Sequence, residues 1–154
     1  MKNFSKYIHY YKSIAAIILG LMYIVVGIKH FTEPEIFIAI TPPFIYFREA
    51  AVYFTGLIEV VGGALLLTNK YRKKGGALMI ILLLLVFPAN IYLVFSEEAQ
   101  TVFQGTRADA IIRLPFQIPL ILIAYWHSKE RVSNWVELFC ILSFPPTIIY
   151  FLTL

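Results

Sequence analysis

The sequence predicts an all-α fold: an integral membrane four-helix bundle with an additional apolar fifth helix at its carboxyl end. Three observations predict it. The 154 residues are 60% hydrophobic and only 14% charged, against about 45–50% apolar and about 25% charged in ordinary soluble domains. A soluble fold of this size leaves too much of its chain on the outside to hide so much apolar surface. Five apolar stretches approach the length of about 20 residues needed to cross a roughly 30 Å hydrocarbon core. The basic residues fall in short clusters between those stretches, which is a pattern of membrane topology rather than a nucleic-acid-binding stripe, so the net charge of +4 points to no nucleic-acid partner.

The predicted spans cover about residues 13–31, 51–68, 77–95, 111–127 and 135–154, as a single unit over 1–154. The first is preceded by Lys2, Lys6 and Lys12 in the manner of a signal peptide. Lys29-His30-Phe31 stands where a small-residue cleavage site would be, so it is read as a retained helix. The third and fifth spans are apolar nearly throughout, which excludes amphipathic surface helices there. Pro145 and Pro146 remove two backbone donors and predict a break near the middle of the fifth. That span then crosses fully, bends, or lies partly in the interface.

Alternating loops place nine of the thirteen basic residues (Lys2, Lys6, Lys12, Lys70, Arg72, Lys73, Lys74, Lys129 and Arg131) on one side, and Lys29, Arg48, Arg107 and Arg113 on the other. Excess Lys and Arg mark the cytoplasmic face. The expectation is a multi-pass protein of the cell membrane with its amino terminus in the cytoplasm and loops 29–50 and 96–112 outside. The outer loops carry Pro34, Pro42, Pro43, Phe44 and Phe47, apolar enough to fold back over the bundle as a cap.

Gly20 and Gly27 are seven residues apart, as are Gly56 and Gly63, so each pair marks one face of its helix. The two helices are consecutive and antiparallel, which matches Gly27 with Gly56 and Gly20 with Gly63 in a close-packed seam. Tyr23 and Glu59 then lie between the glycines of their respective helices, and a hydrogen bond, or at least a contact, is expected between them.

Glu59 is the most informative residue, because an ionised carboxylate near the middle of a span costs about 2.5–3.5 kcal/mol even on lenient scales. It needs a partner or a proton. Asn90 follows Pro88 in the third span, Arg113 and Gln117 share a face at the start of the fourth, and His30 closes the first. These residues meet at similar depth above Glu59, a polar pocket opening outward. Each also has a plainer role: an Asp109–Arg113 surface pair, Asn90 as interhelical glue, His30 as an interfacial histidine. The candidate ligand-binding set is Glu59, Asn90, Arg113, Gln117, His30 and Tyr23.

Cys140 is the single cysteine, and His9, His30 and His127 are the only histidines, so no disulfide, metal site or bis-histidine haem is expected. No nucleophile triad, phosphate loop or dinucleotide fingerprint is present, and no catalytic residue is assigned. No inverted repeat supports a transporter.

Four strings together resemble the DoxX-like family of small membrane proteins: GIKHFTEPEIFIAITPPF from Gly27, VYFTGLIEVVGGALLL from Val52, LLLLVFPANIYL from Leu82 and RLPFQIPLILIAYW from Arg113. The resemblance implies a four-helix bundle with both ends cytoplasmic. It also implies recurring positions at His30, Pro43, Glu59, Gly63, Pro88, Asn90, Arg113 and Gln117. The wider DoxX and DoxD grouping includes subunits linked to quinone-reducing sulfur oxidation and to membrane redox complexes, and is similar to a receptor-assembly chaperone of animal membranes. The apolar tail after Trp135 departs from the pattern. The expected function is binding of a lipophilic or quinone-like molecule in the outer-half pocket by a redox accessory subunit with no activity of its own. The alternative is an interaction or assembly factor that docks a membrane protein partner or a second copy of itself. The lipid bilayer is a partner in either case.

Overall fold

A computed structural model describes the backbone of residues 2–153 and the side chains of residues 6–153; the Lys2 side chain and Leu154 fall outside it. The described residues form eight helices: α1 (Lys2–Thr32), α2 (Pro34–Ile40), α3 (Arg48–Leu67), α4 (Arg72–Leu85), α5 (Phe87–Phe95), α6 (Glu97–Val102), α7 (Arg107–Ser128) and α8 (Asn134–Leu152). Five helical spans are long and apolar enough to cross a membrane: Lys6–Thr32, Arg48–Leu67, Arg72–Phe95, Arg107–Ser128 and Asn134–Leu152. They pack in chain order as a ring, α1 against α3, α3 against α4, α4 against α7 and α7 against α8, with α8 returning to α1. Because the ring has an odd number of members, its closing pair is parallel while its other neighbours are antiparallel.

The broadest interface, α1 with α3, follows the glycine spacing. A Cβ built on Gly27 would lie 2.8 Å from the Gly56 carbonyl oxygen, and one built on Gly20 would lie 2.8 Å from that of Gly63. Main chains therefore meet without side chains between them. A second set of glycines, not singled out in the sequence, does the same for α4. Gly75 abuts the backbone of Gly62, Leu65 and Leu66 in α3, and Gly76 abuts Ala124, His127 and Ser128 in α7.

Prolines shape the remaining spans. The third is interrupted at Val86, with Pro88 in the first turn of α5. Pro145 and Pro146, by contrast, do not break α8, which runs continuously from Asn134 to Leu152. One of the two carbonyls that the prolines free is taken by another helix. Pro145 cannot donate to the Ile141 carbonyl four residues back, and the Tyr11 hydroxyl of α1 donates to it instead at 2.9 Å.

The two ends of the ring differ. At one end the short helices α2 and α6 contact each other across the bundle, around a small core of Ile40, Leu93, Val94, Ala99 and Ala110. These helices are the folded form of the expected cap. At the other end Lys12 donates to the Lys129 carbonyl at 3.0 Å, Arg72 donates to the Ser13 hydroxyl at 3.2 Å, and Lys73 pairs with Glu130. The Lys73 ammonium holds the exposed Glu130 carboxyl below its ordinary range, through a hydrogen bond first and charge second. The α8 helix spans both ends, from Ser133, whose side chain caps it, to Tyr150, whose hydroxyl donates to the Asp109 carbonyl at 3.3 Å.

Candidate functional site

The residues anticipated from the sequence meet inside the capped half of the ring. Glu59 is 7% exposed on α3, Asn90 is 9% exposed on α5 and Gln117 is 3% exposed on α7. Burying three polar side chains in an apolar bundle is costly unless each finds a partner. Two of them find each other: Asn90 Nδ2 donates to Gln117 Oε1 at 2.9 Å. Gln117 Nε2 donates in turn to the carbonyl of Leu83, in the last turn of α4, where helical carbonyls lose their intrahelical donors. The interruption at Val86 thus supplies the acceptor that orders the amide pair.

Glu59 is left differently. Its Oε2 lies 3.3 Å from His30 Nδ1 but has no aligned hydrogen bond among the described residues. His30 Nδ1 points instead at the Val26 carbonyl, at 3.0 Å. The Phe37 ring of α2 stacks on the imidazole at a centroid distance of 3.6 Å. His30 is thus buried, 5% exposed, under the cap helix α2.

The expected hydrogen bond between Tyr23 and Glu59 is not formed; the Tyr23 hydroxyl has no partner among the described residues. Both residues border the same void. The Asp109–Arg113 pair is also absent. Asp109 is committed to the start of α7, its Oδ2 accepting from the Thr106 amide at 2.8 Å and from the Thr106 hydroxyl at 2.6 Å in a reciprocal capping box. Arg113 is thereby free to turn inward. Its guanidinium lies 5.0 Å from the Phe103 ring centroid and 5.6 Å from that of Phe151, both within cation–π range. Its buried Nε has no partner among the described residues.

These groups enclose a cavity of about 390 Å³, walled by Met22, Val26, Leu82, Leu83, Val86 and Leu120. Into it face Tyr23, Glu59, Asn90, Arg113 and Gln117. The exposed Lys29, Glu33 and Gln104 stand at its mouth, between the end of α1 and the cap. A smaller cavity of about 130 Å³ adjoins it beneath α2, bordered by His30, Thr41 and Thr55. Glu59, Asn90 and Arg113 border both. The sequence reading missed the aromatic partners Phe37, Phe103 and Phe151 and the rim residue Lys29. Phe37 and Phe103 lie in cap segments whose path it left open, and Phe151 lies in the helix it expected to be broken.

Chemically, the site offers hydrogen-bond donors at Tyr23 and Arg113, a carboxyl at Glu59 and an ordered amide pair on otherwise apolar walls. Among the described residues no group of three or more His, Cys, Asp or Glu is clustered to hold a metal ion.

No curated protein matches the chain, and no solved structure matches it. All six anticipated site residues, but not α8, lie within residues 19–128, which match the family described as a domain of unknown function, DUF8561, and the chain belongs to that family.

Proposed function

We propose that this is a multi-pass membrane protein whose basic end faces the cytoplasm and whose capped half holds a small lipophilic, quinone-like molecule, as an accessory subunit of a membrane redox system. The observation that carries the reading is the cavity of about 390 Å³ with apolar walls and three unpaired buried polar atoms, Tyr23 Oη, Glu59 Oε2 and Arg113 Nε. Buried polar atoms are nearly always paired, so three orphans around one void call for a polar occupant. The volume falls within the roughly 300–1,000 Å³ of small-molecule sites. A quinone ring presents carbonyl acceptors to which the Tyr23 hydroxyl and the Arg113 Nε–H are suited as donors, and the rings of Phe103 and Phe151 flank that arginine. An isoprenoid tail would have to leave through the mouth.

The orientation is supported by the charge asymmetry of the loops. A kinship with DoxX-like proteins belongs to the same proposal and rests on the four strings, all of which lie within residues 19–128.

Purification in mild detergent, solvent extraction and mass spectrometry test the function. Wild type should carry a lipophilic carbonyl compound that Arg113→Gln and Glu59→Gln lose, and should bind a short-chain benzoquinone. No extracted compound and equal, negligible quinone binding by all three proteins would refute it. The alternative, an assembly factor, draws support from α8, which lies outside the family match and exposes Trp135 (82%) and Leu142 (67%). A stoichiometric protein partner bound with an empty cavity would favour it.

A further inference from the structure

Glu59 borders two cavities, and His30 borders only the smaller one. We infer that His30 and Glu59 form a proton relay that connects the ligand cavity to the capped end through the smaller cavity, so that the site exchanges protons by a route separate from its ligand mouth. This deepens the proposed function, because a quinone-like ligand that changes redox state must gain or lose protons where it sits.

The direction of transfer follows from the hydrogen bonding. A carbonyl oxygen can only accept, so the Val26 carbonyl at 3.0 Å from His30 Nδ1 places the proton on that nitrogen. Neutral imidazole then presents Nε2 as an acceptor, and Nε2 makes no hydrogen bond among the described residues. A proton arriving at Nε2 gives an imidazolium. The Nδ1 proton, 3.3 Å from Glu59 Oε2, then passes to the carboxylate once the two align. The products are a neutral imidazole protonated on Nε2 and a neutral carboxyl facing the ligand cavity. In reverse, Glu59 first returns its proton to Nδ1, which regenerates the imidazolium, and Nε2 then releases its proton to water.

The surroundings suit a relay. The 130 Å³ cavity has room for several waters, since each needs roughly 10–15 Å³ of such space and two to four polar neighbours. Thr41 and Thr55 donate their hydroxyl protons back to helix carbonyls, leaving their oxygens as acceptors for that water. Phe37 covers one face of the imidazole, and His30 borders the small cavity but not the large one. The charged and titratable groups around Glu59 are His30 and Tyr23 from α1 and Arg113 from α7, with uncharged Asn90 from α5. Lys29 and Glu33 stand at the mouth of the large cavity. None but His30 is within ion-pair distance of Glu59 among the described residues.

The test needs no ligand. Time-resolved infrared spectroscopy after a pH jump, on detergent-purified protein, follows the protonated-carboxyl band that Glu59→Gln removes. In His30→Gln the band should appear at least tenfold more slowly, and in His30→Ala the wild-type rate should return on adding free imidazole. Monodisperse size-exclusion profiles confirm that each variant is folded, and His30→Asn serves where either is not. An unchanged rate in the His30 variants overturns the relay, as does a wild-type spectrum with no Glu59 band at any pH. Slowing without imidazole rescue also overturns it, since that is the result of a structural role. Failure of quinone binding with an intact infrared result would refute the ligand alone.

Discussion

Substituting Gly76 by alanine should destabilise the protein by about 2 kcal/mol. The added Cβ would sit 2.6 Å from both the Ala124 carbonyl oxygen and the Ser128 amide nitrogen, and 2.9 Å from the His127 carbonyl carbon. All three are backbone atoms, so no flexible side chain can yield. Opening the 2.6 Å contacts to an ordinary 3.4 Å requires α4 to retreat from α7 by roughly 0.8 Å. Overpacking of this kind costs about 1–3 kcal/mol, and a contact with three rigid atoms belongs at the upper end. Alanine recovers about 1 kcal/mol in helix propensity, which leaves about 2 kcal/mol, or roughly thirtyfold in the unfolding equilibrium. Gly105→Ala is the control, because its nearest neighbour would be Phe103 Cδ1 at 3.4 Å; a change within about 0.5 kcal/mol is expected. Reversible unfolding in mixed micelles with increasing SDS measures both. The reasoning is refuted if Gly76→Ala is as stable as Gly105→Ala.

Other substitutions probe the helix junctions and the site. Tyr11→Phe should cost about 1 kcal/mol by orphaning the Ile141 carbonyl, and about none in a Pro145→Ala background, where the amide of residue 145 returns as donor; SDS unfolding of the four proteins gives the cycle. Asn90→Ala and Gln117→Ala should couple by roughly 0.6–1.7 kcal/mol in the same assay, the range of interhelical hydrogen bonds in membranes. Gly56→Ala would place a Cβ 2.5 Å from that of His30 and should displace the imidazole, seen as shifted His30 ring resonances in NMR spectra of selectively labelled protein. For orientation, Tyr46→Cys and Lys70→Cys in a Cys140→Ala background should react oppositely with an impermeant maleimide on intact cells, with Tyr46→Cys labelled.

The parts of the site visible in the sequence were those where one residue type contradicts its surroundings. Glu59 and Asn90 interrupt apolar runs, and the sevenfold glycine spacing of α1 and α3 is periodic, so both could be placed by helical geometry alone. What escaped depends on partners distant in sequence. Pro145 and Pro146 read locally as a break, yet the helix continues, and one of the two carbonyls they free is met by Tyr11, 130 positions from Ile141. Arg113 and Asp109 read as a pair by spacing, but Thr106 claims the carboxylate first through a bond that closes the start of α7. Tyr23 and Glu59 border the same cavity without a hydrogen bond, which spacing alone does not tell. The cap helices α2 and α6 are too short to show periodicity, which is why Phe37 and Phe103 were not connected with the site.

Where main chains touch through glycine, two helices have almost no freedom to slide or spread, whereas side chains that meet can change rotamer. The glycine contacts join α1 to α3, α3 to α4 and α4 to α7, making that arc stiff. Near the cavity, α8 is held by side chains alone: the Phe116–Tyr150 stack, the contact of Phe151 with Arg113 and one 3.3 Å hydrogen bond. Under the proposed function, an occupant larger than the resting cavity would press first on α8, the one helix of the ring without such a glycine contact among the described residues.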